Sequence, residues 1–158
     1  MSRFQIYSMP AAAGEIALCP IPGRGGAYAE DLREIETWGA NLVVSMTQGA
    51  EMAGICENLG EDLHAMGIEW AHFPVADYQV PTPLQEAAWR DLCMRATDIL
   101  DAGGKVLFHC KGGCGRSGMA VLRVLISTGL AADEALAMLR NVRACAVETE
   151  AQLAWARK

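Results

Sequence analysis

No stretch of the sequence is apolar over the roughly 18 to 20 residues that a helix needs to cross a bilayer. The opening residues, MSRFQIYSMP, also lack the basic start and the apolar stretch of a signal peptide. Both absences argue against membrane insertion and against export. We therefore expect a cytoplasmic protein without a membrane partner.

A run rich in Lys and Arg is missing as well, and the formal net charge is -6. Proteins that bind nucleic acid normally present a basic patch or stripe, so we expect no nucleic-acid partner. No internal repeat or linker divides the sequence. At 158 residues, 52% of them hydrophobic, the chain can bury about two-thirds of its unfolded surface, and we expect one domain over residues 1–158.

Cysteine is not scarce, but its six positions are scattered through a chain long enough to fold without cross-links. Mostly reduced thiols are therefore expected. Free cysteine is among the most buried residue types. Four of the six are expected to be core residues: Cys19, Cys56, Cys93 and Cys145.

Short β-rich runs alternate with helical runs, a pattern typical of an α/β domain with a mainly parallel sheet. The expected fold is one three-layer domain in which helices flank a sheet of about five strands. Strands are predicted at residues 4–7 and 15–18, both as edge strands, and at 41–46, 68–73 and 105–109. Helices are predicted at residues 28–38, 50–66 with a break near Gly60, 83–102, 117–127, 132–143 and from 148 onward.

The helix predicted after Pro83 is the clearest amphipathic element. Its start is favoured by the proline, and glycines at 103 and 104 end it. The apolar residues expected on one side of it are Leu84, Ala87, Ala88, Leu92, Ala96, Ile99 and Leu100.

A strand, a glycine-rich loop and an apolar helix follow one another around the segment HCKGGCGRSG, residues 109–118. Glycine lets backbone N–H groups turn inward, and a helix N-terminus adds unpaired donors and a positive dipole end. Arg116 adds a planar fork of donors that suits two phosphate oxygens. The segment is interpreted as a phosphate cradle formed by Lys111, Gly112, Gly113, Cys114, Gly115 and Arg116.

Cys110 stands at the start of this cradle. A helix N-terminus and an arginine favour the charged form of a nearby thiol, so a thiolate is expected at neutral pH. Placed beneath a bound phosphate, it would attack the phosphorus in line with the leaving oxygen and form a covalent cysteinyl-phosphate.

A Cys, five residues, an Arg and then Ser or Thr, preceded by a strand that ends in His, resembles the signature of the cysteine-dependent protein tyrosine and dual-specificity phosphatases. The resemblance implies the protein tyrosine phosphatase fold and a reaction without metal or cofactor. It implies that Cys110 is the nucleophile and that Arg116 binds phosphate and stabilises the transition state. Ser117 would stabilise the departing thiolate, and His109 would hold the loop and tune the thiolate.

Two further segments resemble this family. Residues 73–77, Phe-Pro-Val-Ala-Asp, stand where the family carries its acid on a loop, so Asp77 is the candidate that protonates the leaving oxygen and later activates water. Residues 148–152, Glu-Thr-Glu-Ala-Gln, are similar to a segment of the small atypical dual-specificity and cyclin-dependent-kinase-associated phosphatases. By that resemblance Gln152 would position the hydrolytic water.

The small size and the absence of a long tyrosine-binding loop imply a shallow pocket, like that of dual-specificity enzymes. Such a pocket admits phosphotyrosine and also phosphoserine and phosphothreonine, so the expected partner is a phosphorylated protein or peptide. A phosphatase for phosphoinositides or another small phosphorylated molecule is the alternative. The inositide-directed relatives also carry a lysine at the position of Lys111. Their loop has a second lysine, however, where this sequence has Cys114.

Less favoured interpretations of the same residues remain open. A nucleotide-binding loop would need Gly at Cys110 and Lys at Arg116, and a zinc site would need a fourth ligand at suitable spacing. A binding module without turnover would lack the nucleophile or the acid, although Asp77 could also be an ordinary turn residue. Cys114 is expected as a small core-facing thiol more than as a disulfide partner of Cys110, and Arg24 as part of a solvated turn.

Overall fold

The structure, a computed structural model, describes residues 3–158. Its sheet has the order β1-β2-β5-β3-β4, in which β1 runs antiparallel to β2 and every other neighbouring pair is parallel. The mainly parallel five-stranded sheet is therefore confirmed, with β5 at its centre. The strands are β1 (Tyr7–Ala11), β2 (Gly14–Cys19), β3 (Leu42–Ser45), β4 (Glu69–His72) and β5 (Lys105–His109).

Within residues 3–158, seven α-helices cover the two faces of this sheet and make the three layers that the sequence predicts. Because side chains alternate along a strand, Val106 and Phe108 point into one core and Leu107 into the other. Helices α1 and α3 bury their apolar side chains in the second core, whereas α4, α5, α6 and α7 pack in the first. The helices are α1 (Tyr28–Trp38), α2 (Gly49–Met52), α3 (Leu59–Ala65), α4 (Glu86–Asp101), α5 (Gly115–Ser127), α6 (Ala132–Val142) and α7 (Glu150–Ala156).

The first strands differ from the prediction. The strand predicted at residues 4–7 was wrong, since β1 begins only at Tyr7 and the apolar side chains of Phe4 and Ile6 pack against the core that α1 covers. The predicted edge position of β2 was wrong too. β2 lies between β1 and β5, because β1 folds back on it as a hairpin and takes the edge.

The apolar face of α4 begins later than predicted. A short 3-10 turn, Pro83–Gln85, precedes the helix, and its three residues per turn do not continue the phase of an α-helix. Leu84 is 95% exposed, and Ala87 and Ala88 are exposed as well. The buried face of α4 instead consists of Trp89, Leu92, Ala96 and Leu100.

The helical region predicted at residues 50–66 is two helices, but Gly60 does not separate them. The break covers residues 53–58, and Gly60 lies inside α3. A Cβ atom at Gly60 would come within 2.4 Å of the Trp70 ring, so this glycine allows α3 to pack closely on β4. No helix within the described residues is long and apolar enough to cross a membrane.

Candidate active site

The predicted sequence of strand, loop and helix is present at the centre of the sheet. β5 ends at His109, and α5 begins at Gly115, two residues earlier than predicted. We call residues 110–116, which end with the first two residues of α5, the cradle loop. Cys110 is 3% exposed and Arg116 is 1% exposed. The hydroxyl oxygen of Ser117, in the first turn of α5, lies 3.2 Å from the Cys110 sulfur.

The first two carbonyl groups of the cradle loop accept hydrogen bonds from the end of β5 and from the segment after β2. The carbonyl oxygen of Cys110 lies 3.2 Å from Nδ1 of His109. The carbonyl of Lys111 accepts from the backbone N–H of Ile21 at 3.1 Å and from Nη1 of Arg24 at 3.3 Å. Arg24 is exposed, as predicted, but its guanidinium contacts the loop.

The next three carbonyl groups are bonded by the segment between α6 and α7. Arg143 donates to the carbonyl of Gly112 at 2.9 Å and to that of Gly113 at 3.1 Å. The backbone N–H of Val147 donates to the carbonyl of Cys114 at 3.1 Å. Five consecutive carbonyl groups of the loop are thus held from outside.

The backbone N–H groups of the loop therefore face the opposite way, because the C=O and N–H of a trans peptide point in opposite directions. The N–H groups of residues 111–114 donate to no other residue in the described part of the chain. Gly113 has a φ of +73° and lies so close to β2 that a Cβ would be 2.7 Å from the carbonyl carbon of Cys19. Consecutive backbone N–H groups without a protein acceptor can bind an anion.

His109 is held in a buried chain of hydrogen bonds. Nε1 of Trp70, which can only donate, lies 2.8 Å from Oγ of Ser45, and that hydroxyl lies 2.6 Å from Nε2 of His109. The carbonyl of Cys110 can only accept, so the ring proton of a neutral His109 sits on Nδ1, and Nε2 accepts from the Ser45 hydroxyl. Burial lowers the pKa of His109 to about 4, so the ring is neutral at pH 7.

Arg116 is held by α2 and by the loop after β4. Its Nη1 and Nη2 each donate to one carboxylate oxygen of Glu51 at 2.8 Å, and Nη1 also donates to the carbonyl of Val75 at 2.8 Å. The hydrogen bond from Arg116 lowers the pKa of the Glu51 carboxyl, against the opposing effect of burial. The guanidinium is thereby fixed in direction.

Asp77, the candidate acid, lies beside the same guanidinium. Its Oδ1 is 3.2 Å from Nη2 of Arg116, and its side chain is 44% exposed. The backbone N–H of Tyr78 donates to the same oxygen at 3.0 Å. The structure thus brings Asp77 to the rim of the cradle loop, within reach of solvent.

The structure also brings Gln152, a residue of α7, close to the start of α5. It is fully buried, and its Oε1 accepts from the backbone N–H groups of Glu148 and Thr149 at 3.0 and 3.2 Å. Its Nε2 donates to the carbonyl of Gln79 at 3.3 Å. A Cβ at Gly115 would come within 2.9 Å of Gln152 Oε1, so the glycine leaves room for the amide.

Two cysteine predictions were wrong. Cys114 and Cys145 form a disulfide, with Cα atoms 5.2 Å apart, whereas we expected a core-facing thiol and a core residue. Cys145 is exposed in the segment between α6 and α7, and this segment lies against the cradle loop. Cys110, Cys19 and Cys56 are free and buried, and Cys93 is free and half-buried.

Three residues that support the site were not predicted from the sequence: Glu51, Arg143 and Ser45. No local motif marks them, and each lies at least 30 residues from its partner in the loop or in β5. Lys111, at the rim, is exposed. Within residues 3–158, no group of three or more His, Cys, Asp or Glu residues is arranged to hold a metal ion.

The sequence matches one family model, described as a polymorphic toxin system, DSP-PTPase phosphatase, over residues 19–130. This is more than two thirds of the chain. The 067L protein of Invertebrate iridescent virus 3, described as a tyrosine phosphatase candidate, is 28% identical over 100 residues. The match covers 63% of this chain and 39% of the viral protein, so the chain spans about two fifths of that relative's length.

Solved structures agree on the fold. Kinase associated phosphatase, in a form whose catalytic-site cysteine is replaced by serine, superposes with a TM-score of 0.85 at 22% identity, covering 99% of this chain and 93% of that one. PTPMT1 in complex with PI(5)P superposes with a TM-score of 0.74 at 21% identity, covering 96% and 92%. Since the family match contains β5, the cradle loop and α5, the resemblance is confirmed: the chain belongs to the cysteine-dependent dual-specificity and protein tyrosine phosphatases.

Proposed function

We propose that this phosphatase acts on phosphorylated proteins or peptides, on phosphotyrosine and also on phosphoserine and phosphothreonine, through a cysteinyl-phosphate on Cys110. One observation above all supports the proposal. The five carbonyl groups from Cys110 to Cys114 are all bonded on their outer side. The opposite N–H groups are therefore fixed donors for phosphate oxygens, and they need no reorganisation when the substrate binds.

In the first step, the thiolate of Cys110 attacks the phosphorus while the bond to the leaving oxygen breaks. Protonated Asp77 gives its proton to that oxygen, so the alcohol or phenol leaves neutral and Asp77 becomes a carboxylate. Arg116 and the loop amides stabilise the charge on the other phosphate oxygens. The product of this step is the cysteinyl-phosphate.

Arg116 changes partners when phosphate binds. Three of its Nη hydrogens go to Glu51 and to the carbonyl of Val75, and the fourth lies by Asp77. Its buried Nε has no partner within residues 3–158. A phosphate that accepts from Nε and Nη2 would therefore displace Asp77 from the guanidinium. Asp77 would then be free to turn toward the leaving oxygen.

In the second step, water attacks the phosphorus of the cysteinyl-phosphate, Asp77 takes the water proton, and Cys110 leaves as a thiolate. Ser117, at 3.2 Å from the sulfur, donates a hydrogen bond to that thiolate. Gln152 is proposed to orient the water. One of its Nε2 hydrogens is given to the carbonyl of Gln79, which leaves the second for a water oxygen.

Phosphoinositides or other small phosphorylated molecules are the second candidate substrates. PTPMT1, which has the same fold, has been seen in complex with PI(5)P, and Lys111 places a further cation at the rim. Against this alternative, the position of the second lysine in the inositide-directed relatives is Cys114, whose sulfur is bound to Cys145. The protein substrate is therefore preferred.

The test compares kcat/KM for phosphotyrosine, phosphoserine and phosphothreonine peptides with kcat/KM for PI(5)P and soluble inositol phosphates. We expect the phosphotyrosine peptides to be the best substrates. A kcat/KM about ten-fold higher for the inositides would overturn the protein assignment and leave the phosphatase chemistry in place. Cys110→Ser serves as the control, since it should have no turnover on any of them.

Four further expectations, on domain number, partners, metal dependence and location, stay predictions. We propose that residues 1–158 act as one domain without nucleic-acid or membrane partners, and that activity persists in a metal chelator, because no proposed step uses a metal. The cytoplasmic location is best tested by fractionation. The disulfide between Cys114 and Cys145 makes that test important, because such bonds persist most readily in oxidising compartments.

A further inference from the structure

One short segment holds a whole side of the cradle loop. We call this segment, Arg143–Val147, the clasp. Arg143 donates to the carbonyls of Gly112 and Gly113, and the N–H of Val147 donates to the carbonyl of Cys114. Cys145, between them in sequence, is bonded through sulfur to Cys114. The orientation of three consecutive peptide groups of the loop therefore depends on the five residues of the clasp.

The clasp is itself braced from two sides. The Arg143 guanidinium lies 4.3 Å from the centre of the Tyr7 ring, and its Nη1 donates to the Tyr7 hydroxyl at 2.9 Å. Arg140 donates to the carbonyls of Ala146 and Val147 at 3.0 and 3.1 Å. The clasp thus joins the cradle loop to β1 and to α6.

One residue of the clasp has a backbone conformation of high intrinsic energy. Val147 has a φ of +67°, a left-handed conformation that a β-branched residue adopts only under constraint. The contacts around it must supply that constraint. The disulfide is the one covalent contact between the clasp and the loop, and its exposed Cys145 side is open to reagents in solution.

We propose that Cys145 is a positioning residue of the active site: its bond to Cys114 holds the clasp on the cradle loop, and the disulfide-bonded form binds the phosphate group more tightly. The proposal rests on the proposed function, because it takes the loop as the phosphate site. By this proposal the two cysteines of the loop need opposite oxidation states. Cys110 must be a free thiol to attack, whereas Cys114 must be bonded to aim the amides.

Reduction by a dithiol removes the covalent link between the clasp and the loop. The S–S bond breaks, Cys114 and Cys145 each gain one electron and one proton, and the dithiol becomes a cyclic disulfide. The hydrogen bonds of Arg143 and Val147 remain, but the loop samples more conformations. Binding phosphate must then also order the loop, so the affinity falls. We expect about a ten-fold loss, since small misplacements of a binding group cost factors of this order.

The experiment measures the inhibition constant of inorganic phosphate, together with KM and kcat for 4-nitrophenyl phosphate. It uses wild type before and after dithiol treatment, and Cys145→Ser with and without dithiol. Mass spectrometry after alkylation verifies the bond. Cys93→Ser, which removes a free half-buried thiol on α4, is the matched control. The dithiol also keeps Cys110 reduced, and its effect on Cys145→Ser reports that contribution separately.

We expect reduced wild type and Cys145→Ser to agree, each with phosphate inhibition about ten-fold weaker and a higher KM. Reoxidation should restore the wild type but not Cys145→Ser, and Cys93→Ser should follow the wild type. The dithiol should leave the phosphate affinity of Cys145→Ser unchanged.

Equal phosphate inhibition in the bonded and the reduced wild type overturns the proposal. If the disulfide only stabilised the fold, reduction would lower the Tm and leave phosphate inhibition unchanged. If Cys145→Ser does not fold, the reduced wild type still makes the comparison without a substitution. Absence of both phosphate binding and turnover in every form is a different outcome, because it removes the proposed function itself.

Discussion

Both carboxylate oxygens of Glu51 accept hydrogen bonds from the guanidinium of Arg116, each at 2.8 Å. The pair connects α2 to α5, and its Glu51 side chain is 19% exposed. Two parallel hydrogen bonds fix the plane of a guanidinium as well as its position. The direction in which Arg116 offers its remaining donors therefore depends on an acid outside the cradle loop.

Glu51→Gln should lower kcat/KM about ten-fold or more. Hydrogen bonds to charged groups contribute about 1.5–3 kcal/mol each, and the amide can keep only part of the bidentate contact. Steady-state kinetics on a phosphotyrosine peptide measure the effect. Glu57→Gln, an exposed glutamate of the adjoining loop, should behave as wild type. Equal kcat/KM in both variants would show that Arg116 does not need Glu51.

The free energy of unfolding should depend on pH through His109. Burial lowers the pKa of His109 from 6.5 to about 4, so between these values the unfolded chain binds a proton that the folded protein does not. The contribution is fully present above pH 6.5 and is lost as pH falls toward 4, at about 1.4 kcal/mol per pH unit.

Urea unfolding across this pH range tests the expectation. His109→Gln should show a shallower loss of stability than wild type below pH 6.5, whereas His64→Gln, which changes an exposed histidine, should keep the wild-type slope. If wild type and His109→Gln have the same slope, the histidine does not remain neutral in the folded state.

Asp77→Asn should slow the release of poor leaving groups most. A serine alkoxide needs a proton to leave, whereas 4-nitrophenolate does not, and a positioned acid contributes about 10² to 10⁴ in rate. The measurement is kcat for a phosphoserine peptide divided by kcat for 4-nitrophenyl phosphate. Asp91→Asn, an exposed change on α4, is the control. A ratio that does not fall would mean that another group is the acid.

Gly118→Ala should destabilise the protein by about 1–3 kcal/mol, the usual cost of overpacking. The added Cβ would lie 2.6 Å from the backbone nitrogen of Val147, and backbone cannot rotate away. That nitrogen also bonds the carbonyl of Cys114, so phosphate affinity should fall too. Gly25→Ala meets nothing within 4 Å and should leave both unchanged. Thermal unfolding and phosphate inhibition measure the two effects, and an unaltered Tm in Gly118→Ala would contradict the packing.

The centre of the site could be predicted because its parts are contiguous in sequence. β5, the glycine loop and the start of α5 bring Cys110, Arg116 and Ser117 together by local geometry alone, and the resemblance added Asp77 and Gln152. α1 was predicted with its observed ends, since Gly39 adopts the left-handed conformation that closes a helix.

The supports of the site could not be predicted because they depend on tertiary packing. Glu51 lies 65 residues from Arg116, and Arg143 contacts backbone carbonyls, which carry no residue signature. The spacing of Cys114 and Cys145 does not reveal a pair either, since many pairings of six cysteines are possible. Which side of α4 is buried depends on the 3-10 turn before it. The spacing of apolar residues within the helix does not indicate that turn.

The most direct test of the mechanism is the search for a phosphoryl group on Cys110 during turnover. Gln152→Ala, expected to slow hydrolysis of the intermediate, is mixed with a phosphotyrosine peptide, quenched in acid and digested for mass spectrometry. A cysteinyl-phosphate mechanism gives one phosphoryl adduct on the fragment that carries Cys110, and none in Cys110→Ser. Turnover in Cys110→Ser, or an adduct on a different residue, would contradict it.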